Sequence, residues 1–404
     1  MRTHSLWLLG LAALIGLPVF VVIVTNAQAA EGPGTSQPRV AFKPRITAMA
    51  DAQLDDKRRQ LVATFSGNLP DSAFRTLLQL PPLVEAVMPY TVYLSDQSTL
   101  SPRHREILIL RTAWLCGNQP LWSFHAERAR RAGLSARELH RIAEGPEVGW
   151  DGTEANLLRL ADQLYRNSSV TDATWKALSA SYDLFHLMDA VETVNHFTVL
   201  SMLFNSFGIL PDAAPADRLP TDVAYKVTVP PREPPLAAAR VEPTAGDGIA
   251  VGRTFARHAK LNQARVPRAN FINRVSTLQP RYREMLILRI GWDCRAEYEW
   301  AQHVGRVGRA REHGLDPVNI AEGPDAKAWD PLERAILRAV DELYRDTFVS
   351  DRTWNELSQR FDTALMMTAV FTASSYRATS MSLNALGVQL EPGDERFPKV
   401  AASR

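Results

Sequence analysis

The stretch Arg283 to His303, REMLILRIGWDCRAEYEWAQH, decides how this chain reads. Its first half is an almost unbroken apolar run, dense enough to bury a helix on most sides. Its second half turns polar, and there Glu299 and His303 stand four residues apart. On a helix that spacing puts both side chains on one face, about 5–6 Å apart at the base. A carboxylate beside an imidazole orients the ring and favours its charged form, which suits proton transfer.

The same stretch occurs earlier in altered form, REILILRTAWLCGNQPLWSFH from Arg105 to His125. Arg111 falls on Arg289, Trp114 on Trp292, Cys116 on Cys294, Trp122 on Trp300 and His125 on His303. Farther on, Trp150 matches Trp329, Tyr165 matches Tyr344, Trp175 matches Trp354 and Asn205 matches Asn384. Four such pairs account for eight of the nine tryptophans, the ninth lying near the N-terminus. A coincidence of that order is not credible, so the chain holds two related blocks.

Outward from these stretches the periodicity is helical throughout. Ser101-Pro102 predicts a helix start, because proline is tolerated in the first turn. Gly133 predicts the end of the helix carrying His125. Ser135 with Glu138 predicts a capping box, and Thr171 or Asp172 a further cap. The run DLFHLMDAVETVNHFTVLSMLFNSFG is apolar on most faces and predicts a central buried helix. No strand-like alternation of useful length interrupts the pattern.

A chain of 404 residues is too long for one ordinary core. Its composition, 46% hydrophobic and 22% charged, is that of a folded soluble protein. The net charge of +2 is too mild, and the basic residues too dispersed, to point to nucleic acid. Two cysteines without a CxxC, and no Cys/His cluster at zinc spacing, give no metal site and predict buried, inert thiols. His125 and His196 alone, without a third ligand nearby, do not change this.

The N-terminus stands apart. Nineteen mostly apolar residues, LWLLGLAALIGLPVFVVIV, are followed by Ala27-Gln28-Ala29. The segment reads either as a signal peptide cleaved at an A-x-A site or as one transmembrane helix. Either way the body is expected outside the cytoplasm, free or tethered by its N-terminus, with no other membrane contact. The expected organisation is therefore signal peptide or anchor 1–29, linker 30–47, first domain 48–210, Pro/Ala-rich connector 211–250, second domain 251–390 and flexible tail 391–404. The fold class is all-α, with the two domains packed as an intrachain pseudo-dimer.

On these residues the chain resembles the carboxymuconolactone decarboxylase family, whose wider superfamily includes the AhpD-like alkylhydroperoxidases. The resemblance rests on an ordered series: Pro280 to Glu284, Leu286 to Arg289, Tyr298 to His303, Ala321 to Pro324, Trp329 to Glu333, Asp341 to Tyr344, Val349 to Trp354 and Ser380 to Gly387. It implies an all-helical, commonly oligomeric protein that uses no cofactor and acts on a small organic molecule. The peroxidase branch carries a CxxC whose positions fall here on Ala296 and Glu299, and on Asn118 and Leu121 in the first block. Disulfide chemistry of that kind has no residues to run on. The decarboxylase branch implies acid–base chemistry on an anionic lactone or keto acid.

In that reading His303 is the general acid, Glu299 its partner and Glu284 an assistant, while Arg289 holds a substrate carboxylate. Glu106, His125 and Arg111 are the counterparts in the first block. There Leu121 replaces the glutamate and the late helix offers His196 where the second block has Ser375, so the first block reads either as a partial site on His125 and His196 or as a copy reduced to a scaffold. Each assignment competes with a structural one: an ordinary i,i+4 pair for Glu299 and His303, a helix-dipole partner for Glu106 and Glu284, a core histidine for His196, and buried ion pairs for Arg111 and Arg289. A binding or scaffold protein of the envelope is the non-catalytic alternative.

Overall fold

The computed structural model describes residues 43–212 and 217–400. The segment expected to be a signal peptide or anchor lies outside them. Among the described residues every regular element is helical, and no helix is long and apolar enough to cross a membrane.

The first block runs α1 (Asp56–Phe65), α2 (Asp71–Leu77), α3 (Pro81–Val92), α4 (Pro102–Leu115), α5 (Gln119–Arg131), α6 (Ala136–Glu144), α7 (Gly152–Asn167), α8 (Asp172–Ser179) and α9 (Leu184–Phe207). The second runs α10 (Ala250–Phe255), α11 (Ala259–Asn270), α12 (Pro280–Asp293), α13 (Glu297–Val304), α14 (Pro317–Glu322), α15 (Pro331–Asp346), α16 (Asp351–Ser358) and α17 (Thr363–Leu386). Matching helices agree in length: 14 residues for α4 and α12, 16 for α7 and α15, 24 for α9 and α17.

Local chemistry sets these boundaries. Ser101 accepts the His104 amide at the start of α4, Ser135 and Glu138 close the expected capping box, and Thr171 caps α8. Asp183 and Asp362 cap the two long helices, which end on Gly208 and Gly387 at φ 70° and 71°. Pro89 and Pro267 lie inside α3 and α11. Each removes a backbone donor, and each helix runs into a π-turn, Tyr93–Gln97 or Phe271–Val275.

One apolar core extends through both blocks. α9 lies along α17, α3 packs on α11, α4 on α5, α7 and α9, and α12 on α13, α15 and α17. Polar contacts cross between the blocks: Asn195 donates to the Ser382 hydroxyl at 2.9 Å. The buried Arg377 guanidinium donates to the carbonyls of Leu343 at 3.0 Å and Tyr165 at 3.2 Å. It lies between the rings of the matching Tyr165 and Tyr344, 5.4 and 5.3 Å from their centres.

The connector is fastened along its length. Tyr225 donates to the Leu115 carbonyl, Arg232 to those of Asn167 and Cys294, and Arg240 to those of Ala385 and Val170. The tail expected to be flexible is docked as far as it is described. Phe397 packs on Trp292 and Trp300, and Arg311 and Arg306 pair with Glu395 and Asp394. Aromatic and ionic anchors of this kind need no periodicity in the sequence.

Candidate functional site

The opening stretch breaks where α12 ends. Arg295 turns the chain at φ 50°, and α13 folds back onto α12. This return brings Glu284, near the start of α12, to His303, near the end of α13. His303 Nδ1 lies 2.6 Å from Glu284 Oε2, and His303 Nε2 lies 3.0 Å from Glu299 Oε1. Glu284, Glu299 and His303 are 1%, 5% and 3% exposed, so this is an interior cluster rather than a surface ion pair. Arg283 donates to the second Glu284 oxygen at 3.1 Å, and the Tyr376 ring meets the imidazole edge-on at 5.1 Å.

The electrostatics follow from that sandwich. Burial alone would pull the His303 pKa down, but Glu284 and Glu299 outweigh it and hold the imidazole up to about 10. Burial pushes Glu284 the other way, yet His303 and Arg283 keep it below the usual glutamate range. At neutral pH the ring is an imidazolium donating from both nitrogens. The three side chains form a carboxylate–imidazole–carboxylate chain, Glu284 on Nδ1 and Glu299 on Nε2.

A short loop covers the cluster. At Gly308 a Cβ would lie 2.1 Å from Glu284 Oε2 and 2.5 Å from the His303 carbonyl oxygen, so only glycine lets the chain pass so close. In the first block α5 continues helically to Arg131 instead.

The first block keeps half of this arrangement. His125 Nδ1 lies 2.8 Å from Glu106 Oε2. With Leu121 in place of a glutamate, His125 Nε2 has no hydrogen-bond partner among the described residues. Arg128 approaches Glu106 at 3.6 Å, and an open recess of about 320 Å³ reaches Glu106 past Arg105 and Arg131.

His196 does not take the missing glutamate's place. Its Nε2 pairs with the Thr91 hydroxyl at 2.9 Å, and that hydroxyl already donates to the Val87 carbonyl, so the imidazole is the donor. The Phe197 ring packs against both histidines. Burial pushes the His196 pKa well below its ordinary value. It is a neutral core histidine.

Arg111 and Arg289 are likewise not substrate clamps in this structure. Arg111 binds Asp162 at 2.7 and 3.0 Å and the carbonyls of Ile142 and Ala143 at 2.8 Å. Arg289 binds Asp341 at 2.6 Å and the carbonyls of Ile320 and Ala321. Arg111 ties α4 to α6 and α7, and Arg289 ties α12 to α14 and α15, which is a structural role. The expected thiol behaviour fits the geometry: Cys116 and Cys294 are free and buried, their pKa values pushed up by burial to about 12 and 11.

Fold and site together describe an all-helical protein with a buried carboxylate–histidine cluster repeated in full and reduced form. The carboxymuconolactone decarboxylase family model matches residues 81–163, from α3 into α7, and includes Glu106, Arg111 and His125. That part of the chain is similar to the family and supports a decarboxylase-like or AhpD-like function at that level. No curated protein and no solved structure matches the chain.

Proposed function

We propose that this protein is an acid–base enzyme of the carboxymuconolactone decarboxylase type, acting on a small anionic lactone or keto acid through Glu299. The observation that carries this reading is the His303 ring held between the carboxylates of Glu284 and Glu299 in the protein interior. Decarboxylation leaves an electron pair on carbon that must be met by a proton. His303 supplies that proton from Nε2 by way of Glu299; the ring is left neutral and takes a proton back from solvent, Glu284 and Glu299 favouring its charged form. The peroxidase alternative finds no support in the cluster, where a carboxylate stands at the second cysteine position and Cys294 is a deeply buried thiol.

A screen over lactones, β-keto acids and organic hydroperoxides tests the assignment. Turnover is expected with a lactone or keto acid, and Glu299→Gln, which keeps size and hydrogen bonding, is expected to lower kcat/KM by about 10²–10⁴-fold. Full activity in Glu299→Gln would remove Glu299 from the chemistry.

A further inference from the structure

With Arg111 and Arg289 committed to the fold, the interior between the blocks offers a different pair of cations. Arg265 and Arg268 lie on α11, where it packs on α3 of the other block. Arg268 is 4% exposed, yet neither of its terminal nitrogens has a hydrogen-bond partner among the described residues, and the same holds for the enclosed Nε of Arg265. No ion pair among the described residues joins either arginine to a carboxylate. Arg268 faces the Tyr90 ring at 5.3 Å, but such a contact uses the flat face of a guanidinium and leaves its edge donors unmet.

The neighbouring acid does not meet them either. Glu192 is fully buried, but its two oxygens accept hydrogen bonds from the Tyr90 and Ser382 hydroxyls. His196 Nδ1, on which the Arg268 charge acts, is also without a partner among the described residues. A guanidinium does not neutralise itself by losing a proton, so buried edge donors call for an anion. Arg265 also feels the charge of Glu299, after those of Arg268 and Glu192.

We propose that Arg268, assisted by Arg265, binds the carboxylate of a small organic anion between α3, α9 and α11, in a site built from both blocks. The planar fork of edge N–H groups matches a carboxylate bidentately. This extends the proposed function to how its substrate is held, but its test is a binding measurement that needs no turnover, so either idea can fail alone.

The full chain is melted by circular dichroism with benzoate, succinate or levulinate, and with the uncharged isostere benzamide. At least one carboxylate is expected to raise the melting temperature, as a ligand of the native state does, and benzamide is not. Arg268→Met removes an unmatched buried charge, so it should melt no lower than the parent without ligand. It should bind the same carboxylate at least about tenfold more weakly by calorimetry. Arg265→Met is expected to weaken binding less, and Arg268→Lys to retain part of it, which keeps the test open if Arg268→Met folds poorly. Equal stabilisation of parent and Arg268→Met, or none by any of the three carboxylates in the parent, would overturn the site.

Discussion

The Glu284–His303–Glu299 cluster and the Glu106–His125 pair begin from the same sequence stretch and end in different chemistry. Both place a histidine on the returning helix against a glutamate of the preceding one, at 2.6 and 2.8 Å. The difference nearest the ring is one side chain, Glu299 against Leu121. In the second block the ring has a carboxylate on either side and a glycine-lined loop over it. In the first, one ring nitrogen faces apolar surroundings, and the glutamate borders an open recess. The contrast teaches that what surrounds a buried histidine sets its charge: two carboxylates hold the His303 pKa up against burial.

The largest break in that comparison comes from deleting each ring. His303→Ala leaves two buried carboxylates without their cation, and is expected to cost about 3–5 kcal/mol in urea unfolding, in the range for breaking a buried pair. His125→Ala uncovers only Glu106, which Arg128 can partly serve, and should cost less. Equal losses would mean that Glu299 adds nothing to its partner.

A subtler effect lies in the pH dependence of stability. The folded pKa of His303 is raised to about 10, from an ordinary value of about 6.5. Its contribution is therefore complete below the ordinary value and is lost as pH climbs through the folded one. The melting temperature of the parent should fall between these limits, and that alkaline slope should flatten in Glu299→Gln. An unchanged slope in the variant would place the titration elsewhere.

The smallest difference is expected at the cysteines. Both are buried thiols raised by their surroundings, and neither touches its histidine cluster, so Cys116→Ala and Cys294→Ala should keep full turnover. Native protein should react with a thiol reagent only on unfolding. Fast labelling of one cysteine alone would set the blocks apart where the structure makes them alike.

Much of this was legible before the structure, for a physical reason. Caps such as Ser101, Ser135 with Glu138, and Thr171 act within four residues, and the i,i+4 relation of Glu299 to His303 is equally local. The bond from His303 to Glu284 was not, because it exists only once α13 folds back at Arg295. Arg111 and Arg289 looked like ligand binders because their acceptors, Asp162 and Asp341 and the carbonyls ending α6 and α14, lie farther along the chain. One signal was available: Asp162 and Asp341 hold the same place ahead of Tyr165 and Tyr344. Arg265 and Arg268 went unnoticed because α11 reads as a polar surface helix, and only its docking on α3 buries them. His196 is the hydrogen-bonded core histidine that its apolar sequence context suggests, but its partner Thr91 comes from another helix and could not be named from the sequence.

The position of Arg377 sets one block apart from the other. Its guanidinium sits between two equivalent tyrosines, one from each block, while the position matching it on α9 is Thr198, whose hydroxyl turns back to the Val194 carbonyl. Two copies of the second block, meeting as these blocks meet, would bring two arginines to that one spot, and burial makes such a like-charge encounter severe. Arg377 therefore suits the second block to a partner with threonine at the matching position and not to a second copy of itself.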